Sequence, residues 1–289
     1  MNRVRYLMAR CMWDPNVVLW ELFNEINGCD DMNEKSVQKD AADWCSDMRD
    51  YILSIDPYDR LVGVSFHNGD KLDSWKTLAE NCHLDYLQGH HYDAQDVAAT
   101  MNLIAMKGLK YNGMVIIGEF GSMENYRKKD PDWEYVHIGL WSGLHSGSAC
   151  APMYWFHQEL VNSGYQSYLQ PLEKYAAAFD FVSEPLETAK ISRSDNVRAI
   201  GLTNKSGTAA ALYIYNARYL WAAEDPGEAR DASVTLRGIK AGKVSIEVWD
   251  TVTGEIIRRE DAKVSFLGTV KIEFDSLTRD AAVIVRAAN

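Results

Sequence analysis

No apolar run in the chain approaches the ~20 residues that a membrane-spanning helix needs. The opening residues, MNRVRYLMARCMWDP, break each apolar stretch with arginine and so lack the hydrophobic region of a signal peptide. Cysteine is sparse. Cys11, Cys29, Cys45, Cys82 and Cys150 are odd in number and never in C-x-x-C spacing. That argues against a disulfide framework or structural zinc site and for reduced, buried thiols. Positive charge is also short: the net charge of −11 works against non-specific binding to nucleic acid or an anionic membrane surface. The nucleophile elbow GxSxG, the P-loop, GxGxxG and HExxH are all missing. No internal repeat or low-complexity segment stands out.

What is present is the composition of an ordinary globular protein: 289 residues, 47% hydrophobic and 25% charged, enough for one large or two smaller domains. The stretch VVLWELFNEING (17–28) organises the rest. Val17 to Trp20 form an uncharged, β-branched and aromatic run that reads as a strand buried on both faces, ending in Asn24-Glu25. MVIIGEFG (114–121) is a second such run, ending in Glu119. The spacing between the two glutamates fits about three strand–helix units of ~30 residues. Two carboxylates at the ends of buried parallel strands are the parts needed for retaining glycoside hydrolysis, one as acid/base and one as nucleophile.

Between and around these runs the pattern alternates. A helix over 2–13 precedes the strand at 17, and a helix from Ser36 to Ile55 precedes LVGVSF (61–66). A short helix (71–80) leads to LDYLQGHHYD (84–93), and a helix over 95–110 leads to the strand bearing Glu119. A helix over 132–145, with Trp133, Val136, Leu140 and Leu144 on one face, precedes a fifth strand, SACAPMYWF (148–156). A polar loop from His157 to Gly164 and a helix around 170–182 close the region. Beyond Glu184 seven short alternating runs follow, parted by turn signals such as Asn204-Lys205-Ser206-Gly207 and Asp225-Pro226-Gly227. That is the signature of an antiparallel β-sandwich. The expected domains are therefore 1–189 and 190–289.

FNE after an apolar strand, H-x-Y (His90, Tyr92) two strands on, GEFG, then YW on the last strand resemble the retaining glycoside hydrolases of clan A. Family 5, the cellulase and mannanase family, is the nearest match. The resemblance implies an α/β fold made of the last five strand–helix units of a (β/α)8 barrel, followed by a β-sandwich accessory domain. It implies Glu25 as acid/base, Glu119 as nucleophile, Asn24 as ligand of the sugar 2-hydroxyl, and His90 and Tyr92 beside the nucleophile. Trp155 would be the aromatic floor under a sugar ring. The implied partner is a β-linked glucan or mannan, with no cofactor. Because the family's first three strands have no counterpart here, an upstream segment, a second chain or self-association is expected to complete the barrel. The alternative is a non-catalytic carbohydrate-binding or structural remnant.

The remaining polar residues have plainer readings. Glu21 reads as a buried ion-pair member, and His67, His91 and His157 as loop or core residues. His90, His91 and Asp93 make a poor metal site, since adjacent strand residues point to opposite faces. The aromatics Tyr213, Tyr215, Tyr219, Trp221 and Trp249 suit docking better than an exposed sugar platform.

Overall fold

A computed structural model describes residues 1–122, 133–164, 169–221 and 225–288. The chain forms two compact units: Met1–Tyr92 with Leu103–Phe120 and Ser148–Met153, and Asp93–Asn102 with Gly121–Gly147 and Tyr154–Asn289.

In chain order, α1 (Asn2–Cys11) is followed by β1 (Leu19–Glu21), α2 (Lys35–Leu53) and β2 (Leu61–Phe66). Then come α3 (Lys76–Asn81), β3 (Tyr86–Tyr92), α4 (Val97–Tyr111) and β4 (Val115–Gly121). The sheet runs β1-β2-β3-β4, and both β1–β2 and β2–β3 pair parallel. Spatial order that follows chain order belongs to a singly wound sheet; a doubly wound one would reverse at a switch point.

β2 has a strand on each side and is buried from Val62 to Phe66. β1 is the sheet's edge, which corrects the expectation of a strand buried on both faces. Val18 is 68% exposed, and Glu21, expected in a buried ion pair, is exposed. The loop before β2 is held by Arg60, which pairs with Asp56 at 3.0 Å and donates to the carbonyls of Met12, Asp14 and Val17. Both members of that pair are buried, so these bonds compensate the cost of taking them out of water. α2 buries Gln38, Ala42, Cys45, Met48 and Ile52, one stripe at helical spacing, while Trp44 stays partly exposed.

The fifth expected strand does not form as a ladder. Ala149 N donates to Val115 O (2.8 Å) and Met153 N to Ile117 O (3.2 Å), but Pro152 between them has no N–H to give. The loop expected from His157 contains a short helix instead, α6 (His157–Asn162), built from the good helix formers Gln158, Glu159 and Leu160.

In the second unit, α5 (Glu134–Leu144) is buried from Tyr135 to Gly143, all round and not along one stripe. Residue 132, its expected start, lies outside the described residues. α7 (Leu169–Ala178) stops short of 182, because Asp180 accepts from the backbone N–H groups of Val182 and Ser183 in a turn. Among the described residues nine strands follow: β5 (Leu186–Thr188), β6 (Lys190–Arg193), β7 (Val197–Asn204), β8 (Ala209–Asn216), β9 (Ala229–Arg237), β10 (Lys243–Trp249), β11 (Ile256–Lys263), β12 (Thr269–Leu277) and β13 (Asp280–Ala287). Seven were expected; β5 and β6 were not. They form two antiparallel sheets, β11-β10-β13-β8-β7-β5 and β12-β9-β6.

Alternate residues of both sheets, among them Val197, Leu212, Ile246 and Val283 against Val234 and Ile272, share one apolar core. The other face of the six-stranded sheet takes aromatic contacts. Tyr175 of α7 meets Trp249 edge-on at 5.6 Å, and His145 stacks on Tyr213 at 6.1 Å. Asp280, fully buried, is bound by His137 Nε2 (3.0 Å), the Tyr213 hydroxyl (2.6 Å) and the Thr251 hydroxyl (2.5 Å). The Trp221 indole donates to Ala94 O at 2.9 Å. Tyr213, Trp221 and Trp249 thus work as packing residues of this unit.

Candidate active site

Three strand ends meet over the first unit. Glu25 follows β1, His90 and Tyr92 lie on β3, and Glu119 lies on β4. In a flat sheet β1 and β4 would stand ~14 Å apart, three strand spacings. Yet one oxygen of Glu25, Nδ1 of His90 and one oxygen of Glu119 all lie within 4.8 Å of one another. The side chains converge.

His90 is the hub, wholly buried. Its Nδ1 is 3.0 Å from Glu25 Oε1 and 3.3 Å from Glu119 Oε2. The Tyr92 hydroxyl donates to the same Glu119 oxygen. The two carboxylates differ in surroundings: Glu119 is only 13% exposed and accepts from Tyr92, whereas Glu25 is 29% exposed and hydrogen-bonded to His90.

Glu25 sits in left-handed backbone, φ 53° and ψ 53°, which costs a non-glycine residue roughly 1–2 kcal/mol. Ser65, buried in β2, offsets part of this by accepting the Glu25 N–H at 2.7 Å. The same hydroxyl reaches Asn24 Oδ1 at 3.5 Å. Asn24 itself is exposed beside Glu25. The next loop is tied to this one by Asn27, whose side chain accepts from His67 N (2.8 Å) and donates to His67 O (2.9 Å).

No family model and no curated protein matches the sequence. Solved structures do resemble it in backbone fold. The GH39 enzyme from Xanthomonas axonopodis pv. citri is 13% identical over 99% of this chain and 72% of that one, with a TM-score of 0.39. A glycoside hydrolase family 5 structure from Bacteroides vulgatus ATCC 8482 is 12% identical over 86% and 67%, TM-score 0.45. A glycoside hydrolase family 44 endoglucanase produced by Clostridium acetobutylium ATCC 824 is 12% identical over 86% and 61%, TM-score 0.49.

Of the residues singled out in the sequence, Glu25, His90, Tyr92 and Glu119 are brought together, with Asn24 on the same loop. Trp155 belongs to the second unit, 50% exposed, its carbonyl facing His157 Nδ1. Three neighbours were missed. Ser65 and Gln88 bond the loop of Glu25 and the ring of His90, and His67 places Nδ1 3.5 Å from Glu25 Oε1. His91, on the opposite face of β3, pairs with Asp70 at 3.3 Å.

The trio Glu25, His90 and Glu119 also has the atom types of a metal site. Coordination there would need the His90 Nδ1 lone pair, and Gln88 Nε2 faces the other ring nitrogen, Nε2, at 3.2 Å.

Proposed function

We propose that this chain carries the catalytic centre of a retaining β-glycosidase acting on β-linked glucan- or mannan-type saccharides. The observation that supports it is the approach of one Glu25 and one Glu119 oxygen to within 4.8 Å. Retaining sites hold their carboxyl groups ~5–5.5 Å apart, whereas inverting sites need ~6.5–9.5 Å to admit a water. The proposed fold is the latter part of a (β/α)8 barrel followed in the chain by a β-domain, and the proposed boundary lies near residue 190.

In this reading Glu119 attacks the anomeric carbon and Glu25 protonates the departing oxygen. Glu25 then takes a proton from water as that water breaks the glycosyl ester. Asn24 would bind the 2-hydroxyl, a bond that strengthens as the ring gains oxocarbenium character. Tyr92 steadies the charge on Glu119 before attack.

Covalent trapping tests this. The chain is incubated with 2-fluoro glycosides of glucose, mannose and galactose, and its intact mass is recorded. A single adduct mapping to Glu119, absent in Glu119→Gln, is expected. A cooperatively folded chain that gains no adduct, or gains one elsewhere, would overturn the assignment.

A further inference from the structure

Gln88, His90 and Tyr92 alternate along β3 and so share the face that carries the site. Among the described residues His90 Nδ1 faces carboxylate oxygens, Glu25 Oε1 at 3.0 Å and Glu119 Oε2 at 3.3 Å, and therefore carries a proton. Its Nε2 faces the Gln88 amide nitrogen at 3.2 Å. An amide nitrogen only donates, so Nε2 must offer its lone pair. A second ring proton would set N–H against N–H in a buried place. β4 makes room for the amide: a side-chain carbon on Gly118 would collide with Cδ and Oε1 of Gln88. The glycine before Glu119 is accounted for by Gln88.

We propose that Gln88 is a positioning residue that holds His90 as the neutral, Nδ1-protonated tautomer, and that this one N–H serves Glu119 and Glu25 in turn. The second half rests on the glycosidase reading. In the resting enzyme of that reading Glu119 bears the charge and Glu25 the proton, so Nδ1–H, which lies 3.0 Å from Glu25 and 3.3 Å from Glu119 in the structure, turns to Glu119. Attack forms the bond from Glu119 to the anomeric carbon and breaks the glycosidic C–O bond, and the Glu25 proton leaves with the departing oxygen. The negative charge is now on Glu25, and the N–H turns to it. Water then reverses the exchange: Glu25 takes its proton, the ester bond breaks, and charge returns to Glu119. His90 gains and loses no proton. An imidazolium there would instead keep Glu25 ionised and deprive the first step of its acid. The titratable groups facing this ring are Glu25 and Glu119, with Tyr92 on Glu119 and His67 on Glu25.

The test is a two-bond 1H–15N spectrum of the histidine-labelled chain, with His90 assigned from the His90→Gln spectrum. His90 is expected as the Nδ1–H tautomer at pH 7. Gln88→Met, of similar length but without the donor, should lose that signature and lower kcat about tenfold with KM nearly unchanged, comparable to losing an outer hydrogen-bond partner. A wild-type proton on Nε2, or on both nitrogens, overturns the proposal, as does a Gln88→Met spectrum like the wild type. The wild-type spectrum alone decides the tautomer should the variant not fold. An Nδ1–H signature in a chain that traps no 2-fluoro sugar keeps the Gln88–His90 pairing and removes the alternating service.

Discussion

Glu119→Gln is expected to cut turnover by at least about four orders of magnitude, the scale of removing a covalent nucleophile, while the chain keeps its fold. The amide matches the carboxylate in shape, so the largely buried site keeps its volume, and its oxygen can still accept from Tyr92. What disappears is charge. Losing the charge-assisted part of the Tyr92 hydrogen bond costs about 1 kcal/mol, less than a domain's net stability of about 5–15 kcal/mol, whereas an amide cannot form the glycosyl ester. The check is hydrolysis of an aryl glycoside beside a melting curve. Unchanged hydrolysis sinks the nucleophile assignment. Glu25→Ala should fail differently. An aryl group that leaves readily needs no proton, so the first step survives and the ester accumulates. Azide, small enough for the space left by the side chain, should then release a glycosyl azide of retained configuration.

The parts of this site that were legible in the sequence are those that obey strand arithmetic. Glu25 and Glu119 close apolar runs, and His90 and Tyr92 stand two apart, so one face and one sheet end followed from spacing. Counting two residues back from His90 would also have reached Gln88. Ser65 and His67 were harder, because a single serine within LVGVSF reads as a tolerated polar residue until a left-handed Glu25 needs an acceptor. The burial of β1 was overestimated for another reason: periodicity reports what a strand can bury, not whether a neighbour exists. Pro152 was itself the warning against a fifth ladder strand. β5 and β6, within PLETAKISR, carry too few alternating apolar residues to show, and their pairing with β7 and β9 supplies the order.

Acidification is expected to weaken the second unit by about 3 kcal/mol between pH 6.5 and 4, through His145. Its ring is fully buried, Nδ1 facing Trp141 O at 2.7 Å and Nε2 facing the Tyr175 hydroxyl at 2.9 Å. Burial pushes its pKa down to about 4, against a smaller upward pull from the Trp141 carbonyl. The unfolded chain therefore binds this proton first. The stability is fully present above the unfolded value of ~6.5 and declines as pH falls, until the folded ring also protonates near 4. Asp280 acts in a lower window. Burial alone would raise its carboxyl, but the facing His137, then the Thr251 and Tyr213 hydroxyls, hold it below the ordinary 3.8. Its contribution is present above that value and is lost only as pH falls through the depressed one. Urea unfolding at stepped pH separates the two. His145→Gln, which cannot charge, should flatten the upper window and leave the lower one in place. A wild-type stability that is level from pH 7 to 4.5, or an equal slope in His145→Gln, would assign the acid sensitivity elsewhere. Since the glycosidase reading needs Glu25 protonated and Glu119 ionised together, the same titration bounds the pH over which that pair can be studied in a folded chain.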